Sequence, residues 1–336
     1  MGVTIRDVAK AADVSATTVS RVFNHSDLVS TQTQNHVRAV ARRMGYRPNA
    51  TARSLSHGRT QSIGLVLPAP HGEFFSEIIR GIDEVAQAAE HCLLISSSHY
   101  SVAESETALD ALRGRVDGLL IMTTHVEAQA ALFEENALDV PVVFMNSAVD
   151  GSTHNSFEIE NSTGAQKVTE HLVEQGHRRI GIVLGPLDSH DVRQRVAGYR
   201  AALAAAGLDP DAQPTIRGDF TQESGYEAGK RILELDTLPD AMFCCNDYMA
   251  IGAMAALQEA GVRVPDDIAM AGFDDIPSAR YATPSLTTAS VPVYDLGRHA
   301  AERLIAIIQA GAPSAPRVQT LPSTLVVRAS SLRSAA

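Results

Sequence analysis

Val3 to Asn24 reads VTIRDVAKAADVSATTVSRVFN. Thr4 has Asp7 three residues on, the spacing at which a hydroxyl cap and an acidic first turn start a helix. Val8, Ala9 and Ala12 then share one helical face. Asp13-Val14 interrupts the run, and Asp tolerates turn geometry. Ser15 is the next cap. Val19, Val22 and Phe23 give the second helix an inward face, which leaves Ala16, Thr17, Ser20, Arg21 and Asn24 pointing out. Thr31 with Gln34 reads as a third capping box, and Val37, Val40, Ala41 and Met44 continue an inward stripe to Gly45. Three short helices with a tight turn between the first two make a helix-turn-helix, whose second helix enters the DNA major groove. Arg21 would bond a guanine bidentately, and the methyls of Ala16 and Thr17 would meet thymine methyls. The same pattern also fits an ordinary three-helix start to a globular domain.

Charge separates the two readings. Residues 1–60 hold nine Lys or Arg against three acids, a net +6, while the whole chain is −11 and the remainder therefore −17. A basic head on an acidic body is expected when only one end meets phosphate. Pro48 ends the third helix, because the residue before a proline is pushed out of helical geometry. Asn49 can then cap a short helix over 50–56, with Gly58 as a stop. A helix this short is marginal on its own and should order only on a surface.

The opening run, Gly45-Tyr46-Arg47-Pro48-Asn49 and Ala52-Arg53-Ser54-Leu55 together resemble the N-terminus of the LacI/GalR family of bacterial transcription regulators, and the likeness continues along nearly the whole chain. The resemblance implies that paired hinge helices lie in the minor groove, with Ala52 and Arg53 at the DNA and Leu55 as the apolar wedge that kinks a base step. Taken alone, the segment reads as a plain linker.

About 275 residues follow, enough for more than one core. Short apolar runs recur, each followed by an amphipathic stretch: Ile63 to Leu67, Cys92 to Ile95, Gly118 to Met122, Val142 to Met145, Ile180 to Leu184, Ala241 to Cys245 and Ile268 to Ala271. These predict buried parallel strands in an α/β fold. Helices are predicted over 75–89, 164–175, 192–206, 223–235 and 248–260. Gln61 to Pro68, QSIGLVLP, and Arg179 to Pro186, RIGIVLGP, form a weak repeat. Each opens a series of βα units, so two doubly wound parallel-sheet subdomains are expected, with ligand between them at the strand C-terminal ends.

The family body is of periplasmic-binding-protein type, and its chain crosses between halves three times. The resemblance puts those crossings near Asn161, Ser290 and Leu321. The domains expected are a helix-turn-helix domain at 1–48, a hinge at 49–60, an N-subdomain at 61–160 with 290–320, a C-subdomain at 161–289 with 321–331, and a tail at 332–336. The last strand would be Thr324 to Arg328.

Polar residues near strand ends should face a ligand in such a fold: Asn146 after VVFM, Asn246-Asp247 after AMFCC, and Asp274-Asp275 after IAMAGF. Asp and Asn match sugar hydroxyls. Arg195 offers a planar fork of donors, and Phe220 an apolar face. Phe74 and Phe75 follow the first strand, and Phe75 reads equally as core. Asp247 and Asp275 read first as caps of the helices that follow. Arg195, Asn246 and Asp274 match family positions that contact effector, and Phe220 matches an aromatic that packs on it. Asn146 stands where the family often has an acid, and Val291 where it often has a polar ligand contact, so no particular sugar is implied.

Other classes are disfavoured. No His/Cys/Asp cluster has ligand spacing, and neither a nucleophile elbow nor a P-loop is present, so no enzyme, metal or cofactor is expected. His177 reads as the close of a helix before a strand. Three cysteines make no disulfide framework and fit a reducing cytoplasm. Residues 1–30 are interrupted by charge and do not read as a signal peptide, and no stretch is long and apolar enough for a membrane span. That counts against the alternative of a stand-alone sugar-binding protein. The expectation is a repressor on a pseudopalindromic double-stranded operator, switched by a small molecule: a sugar or sugar derivative first, with a nucleobase or a sugar acid behind it. The resemblance implies a homodimer: some family members carry an extra C-terminal helix that makes tetramers, and only ASSLRSAA follows Arg328 here.

Overall fold

The computed structural model describes residues 3–24, 28–46, 59–70, 72–99, 101–123, 140–147, 155–311 and 315–332. The chain forms two compact units, one of residues 1–61 with 114–117, the other of 62–113 with 118–336.

In the first unit three helices, α1 (Ile5–Ala11), α2 (Ala16–Asn24) and α3 (Thr31–Arg43), enclose a small core of Val8, Ala12, Val19, Val22, Val37 and Val40. Thr4 and Asp7 form a reciprocal capping box, with Thr4 N–H donating to Asp7 Oδ2 at 2.8 Å. The Thr4 hydroxyl donates to the same carboxylate and holds the Asp7 pKa below its usual value. Ser15 Oγ accepts the Thr18 N–H at 3.0 Å and starts α2. Asp13, with φ 52°, turns the chain between α1 and α2. The third cap differs from expectation. Ser30 is the cap, accepting the Thr33 N–H, and Thr31 is already helical. Gln34 reaches back to Val29 O at 2.9 Å. Ser and Thr are both preferred caps, Ser the better of the two, and the fold takes the serine.

The second unit holds two six-stranded sheets. The first contains β1 (Ser62–Leu67), β2 (Cys92–Ser97), β3 (Leu119–Ile121), β4 (Val142–Met145), β5 (Asn155–Ile159) and β11 (Val318–Leu321), in the order β2-β1-β3-β4-β5-β11, all parallel. The second contains β6 (Ile180–Leu184), β7 (Thr215–Arg217), β8 (Ala241–Cys244), β9 (Ala269–Asp274), β10 (Thr287–Ser290) and β12 (Thr324–Val326), in the order β7-β6-β8-β9-β10-β12. Only β12 pairs antiparallel among the described strands. The repeated strands β1 and β6 therefore occupy equivalent places, each beside a topological switch point.

Helices α4 (Glu73–Ala88), α5 (Val102–Leu112) and α11 (Val293–Ala310) pack on the first sheet. Helix α6 (Asn161–Glu174) packs on the second and pairs with α7 (His190–Ala205). Helices α8 (Gln222–Leu233) and α9 (Asp247–Glu259) pair on its other side, and α10 (Pro277–Tyr281) follows β9. The chain passes between the sheets after β5, after β10 and after β11. Some helices pair through glycine: a methyl at Gly252 would meet the Gln222 carbonyl, and one at Gly81 the Tyr294 carbonyl. Backbones approach this closely only where no Cβ intervenes.

The apolar runs 142–145 and 180–184 coincide with β4 and β6. Strands β5, β7, β10 and β11 and helices α5, α10 and α11 were not read from the sequence. The expected helices start one to three residues late, and the final strand stops at Val326 instead of Arg328. Among the described residues no helix is long and apolar enough to cross a membrane.

Candidate DNA-reading helix and effector cleft

On α2, Ala16, Thr17 and Arg21 are exposed and Ser20 is half-buried, while Val19 and Val22 are fully buried. The helix is thus seated by its apolar face and presents a small-residue surface with one guanidinium. Ala52, Arg53 and Leu55 lie outside the described residues, as does the side chain of Asn24.

In the second unit the strand ends meet at a cavity of about 460 Å³. Its wall includes Phe74 and Phe75 from α4 and Phe220 from the loop after β7. Arg195 from α7, Asn246 before α9 and Asp274 at the end of β9 also lie on it. Phe75 both faces the cavity and packs on the core, edge-on to Phe74 at 5.2 Å. Phe220 adopts φ 73°, uncommon for an aromatic residue, and its ring lies where a methyl on Gly185 would fall.

Arg195 is 3% exposed. Its Nε donates to Asn161 Oδ1 at 2.8 Å, its Nη1 donates to the Cys245 carbonyl, and its Nη2 stands 3.3 Å from Asp274 Oδ1. Its guanidinium lies 3.8 Å over the Phe273 ring. Burial pushes the Asp274 carboxyl up to about 7, against the opposing pull of Arg195, and Asp191 adds to the rise.

Asn146 is not on the wall. Its Nδ2 donates to both Asp191 oxygens at 2.8 Å, and Asp191 is on the wall. Asn161 Nδ2 donates to Asp191 Oδ1 at 3.1 Å. Burial raises the Asp191 pKa, with Arg195 and His190 opposing.

Asn246 lines the cavity with its amide engaged: Oδ1 accepts the Met249 N–H and caps α9, and Nδ2 donates to the Phe220 carbonyl. Asp247 and Asp275 do not cap helices. Asp247 is fully buried, with Oδ1 accepting the Thr288 hydroxyl and Oδ2 the Ile276 N–H. Asp275 pairs with Arg328 at 2.5 Å. Val291 lines a neighbouring cavity of about 220 Å³, which also touches Phe74 and Asp274.

Several residues escaped the sequence reading. Asp191 stands four residues before Arg195, a helical spacing that was a usable signal. Tyr248 accepts the Glu73 N–H at 2.6 Å, and Glu73 accepts both the N–H and the hydroxyl of Ser278. These bonds join the two lobes, and nothing local in the sequence announces them.

Residues 4–49 match the family model for bacterial regulatory proteins of the lacI family, and residues 169–331 match that for a periplasmic binding protein-like domain. The chain is 36% identical over 303 residues to the HTH-type transcriptional repressor PurR of Haemophilus influenzae (strain PittEE), covering 90% of each chain. A crystal structure of the lac repressor dimer bound to operator and the anti-inducer ONPF matches with a TM-score of 0.87 at 32% identity, over 99% of this chain and 100% of that one. The transcriptional regulator CelR in complex with cellobiose matches with a TM-score of 0.73 at 31% identity, over 98% and 99%. This protein is a DNA-binding transcriptional repressor and not an enzyme, and it belongs to the LacI family of bacterial regulators.

Proposed function

We propose that this repressor binds a pseudopalindromic operator as a homodimer in the cytoplasm, and that a sugar or sugar derivative in the cleft switches its affinity. One observation carries the effector reading: the cavity sets aromatic faces, Phe74, Phe220 and Tyr248, beside the polar groups of Asp274, Arg195 and Asp191. Aromatic faces suit the C–H surface of a sugar ring, and carboxylates suit its hydroxyls. The cellobiose complex of CelR supports the same class.

In this mechanism α2 reads the major groove through Ala16, Thr17, Ser20, Arg21 and Asn24. The hinge carries Ala52, Arg53 and Leu55 to the minor groove. Effector changes the relative angle of the lobes, and with it the separation of two hinge segments in the dimer. A coupling of about 1–3 kcal/mol is typical of such linkage. A marginal hinge helix near its folding midpoint converts that small bias into a large change in order.

Fluorescence anisotropy on DNA from just upstream of the gene, at two salt concentrations and with a panel of sugars, tests this. Salt-sensitive binding that one sugar weakens or tightens is expected. Operator binding indifferent to every sugar would refute the effector class.

A further inference from the structure

We infer that the effector carries no negative charge: it is a neutral or cationic, hydroxyl- or ammonium-bearing molecule, not a sugar phosphate or sugar acid. This rests on reading the cleft as the effector site. Among the described residues the cavity wall has three carboxylates, Asp191, Asp219 and Asp274, and a single cation, Arg195. That cation is already committed. Its Nε and Nη1 donate to Asn161 and the Cys245 carbonyl, its Nη2 stands at Asp274, and Phe273 covers its face. Buried between Asp191 and Asp274, it compensates charges that the protein itself supplies.

Asp274 shows what is wanting. It is 7% exposed, and its Oδ1 accepts no hydrogen bond from a described residue, having only the charge of Arg195 beside it. A buried acceptor of this kind calls for a donor. The neighbouring Asp247 is the contrast, since both of its oxygens receive protein donors. An anion would bring more acceptors to a place that needs donors.

Helix N-termini favour anions, but those of α7, α8 and α9 at this cleft already carry the protein's own groups, and α4 has Glu73 in its first turn with that residue's N–H donating to the Tyr248 hydroxyl. Asp191 puts a carboxylate in the first turn of α7, and Asn246 Oδ1 caps α9 by accepting the Met249 N–H at 3.0 Å. Thr221 Oγ1 caps α8 by accepting the Ser224 N–H at 3.1 Å. His190 lies beside Asp191 and is not on the wall.

Calorimetry and thermal shift on the full chain would use matched sets: glucose, glucosamine, glucose 6-phosphate and glucuronate; galactose, galactosamine and galacturonate; ribose and ribose 5-phosphate. Uncharged nucleobases and nucleoside monophosphates complete the panel. Wherever a sugar set binds, the acidic member is expected to bind at least about tenfold more weakly than its neutral or amino counterpart, the scale of one repulsive charge a few ångströms away. In Asp191→Asn that gap should narrow by about tenfold, and Asp274→Asn, which keeps an acceptor oxygen, provides a second variant. An acidic sugar that binds as tightly as its parent would overturn the inference and leave the sugar site standing. Binding of bare nucleobases with silence of every sugar would refute the sugar reading while supporting the charge inference. Preference for a monophosphate, or silence of the whole panel, would overturn both.

Discussion

Asn146 and Asp191 join the two lobes directly, the amide of one donating to both carboxylate oxygens of the other at 2.8 Å. Asn146 follows β4 in one sheet and Asp191 lies in the first turn of α7 on the other, so this pair ties lobe to lobe. Asn146→Ala leaves the Asp191 carboxylate to Asn161 alone. A buried acceptor left short of donors costs about 1–3 kcal/mol. Because the contact bridges lobes, the loss should fall on effector affinity, by about tenfold, and less on global stability. Calorimetry beside a thermal melt checks it; unchanged affinity with a lowered melting point would show the pair to be merely structural.

The pH dependence should have a definite sign. Asp274 titrates at about 7 in the folded protein, above the ordinary carboxylate value of 3.8. The folded state therefore holds this proton more tightly than the unfolded chain. That stabilisation is fully present below the unfolded pKa and is lost as pH rises through about 7. Asp191 and Asp247 shift in the same direction. Free protein should melt lower at pH 8 than at pH 6. Binding of a neutral sugar should strengthen over the same interval, because the ionised carboxylate is the better acceptor. Asp274→Asn should flatten the binding profile, and a profile unchanged by that substitution would assign the titration elsewhere.

Gly252→Ala places a methyl on the Gln222 carbonyl at the α8–α9 crossing. Overpacking of this kind costs about 1–3 kcal/mol. Urea denaturation should show that loss. At Gly176, with open space around it, the cost of the same substitution comes from its φ of 87° alone.

Leu55→Ala should weaken operator binding and leave effector affinity intact, as expected if Leu55 wedges a base step. Equal operator affinity in anisotropy titrations would remove the wedge assignment.

The parts of the fold legible in the sequence are those where burial writes itself as an apolar run, as at Val142–Met145 and Ile180–Leu184. Strand β10, Thr287-Thr288-Ala289-Ser290, was invisible because its buried hydroxyls are satisfied by Ser331 and Asp247, more than forty residues away in each case. The positions of Arg195, Asn246, Phe220 and Asp274 beside one cavity followed from the family likeness and the strand-end rule. The roles of Asp191 and Asn161 did not: the spacing to Arg195 marks Asp191 as its neighbour on one helix, but the hydrogen bonds that define both residues run to partners thirty or more residues away. Asp247 misled for the same reason: beside a helix start it looks like a cap, and only the fold shows that its oxygens hold Ile276 and Thr288.

Operator anisotropy with an effector dose series on three proteins, the natural chain, Arg195→Ala and Arg21→Ala, separates the two working surfaces. Arg195→Ala should bind operator normally and lose the effector response. Arg21→Ala should lose about 1–3 kcal/mol of operator affinity, as for one bidentate base contact, while binding effector as before in calorimetry. A full effector response in Arg195→Ala, together with undiminished operator affinity in Arg21→Ala, would contradict both the cleft as effector site and α2 as the DNA-reading helix.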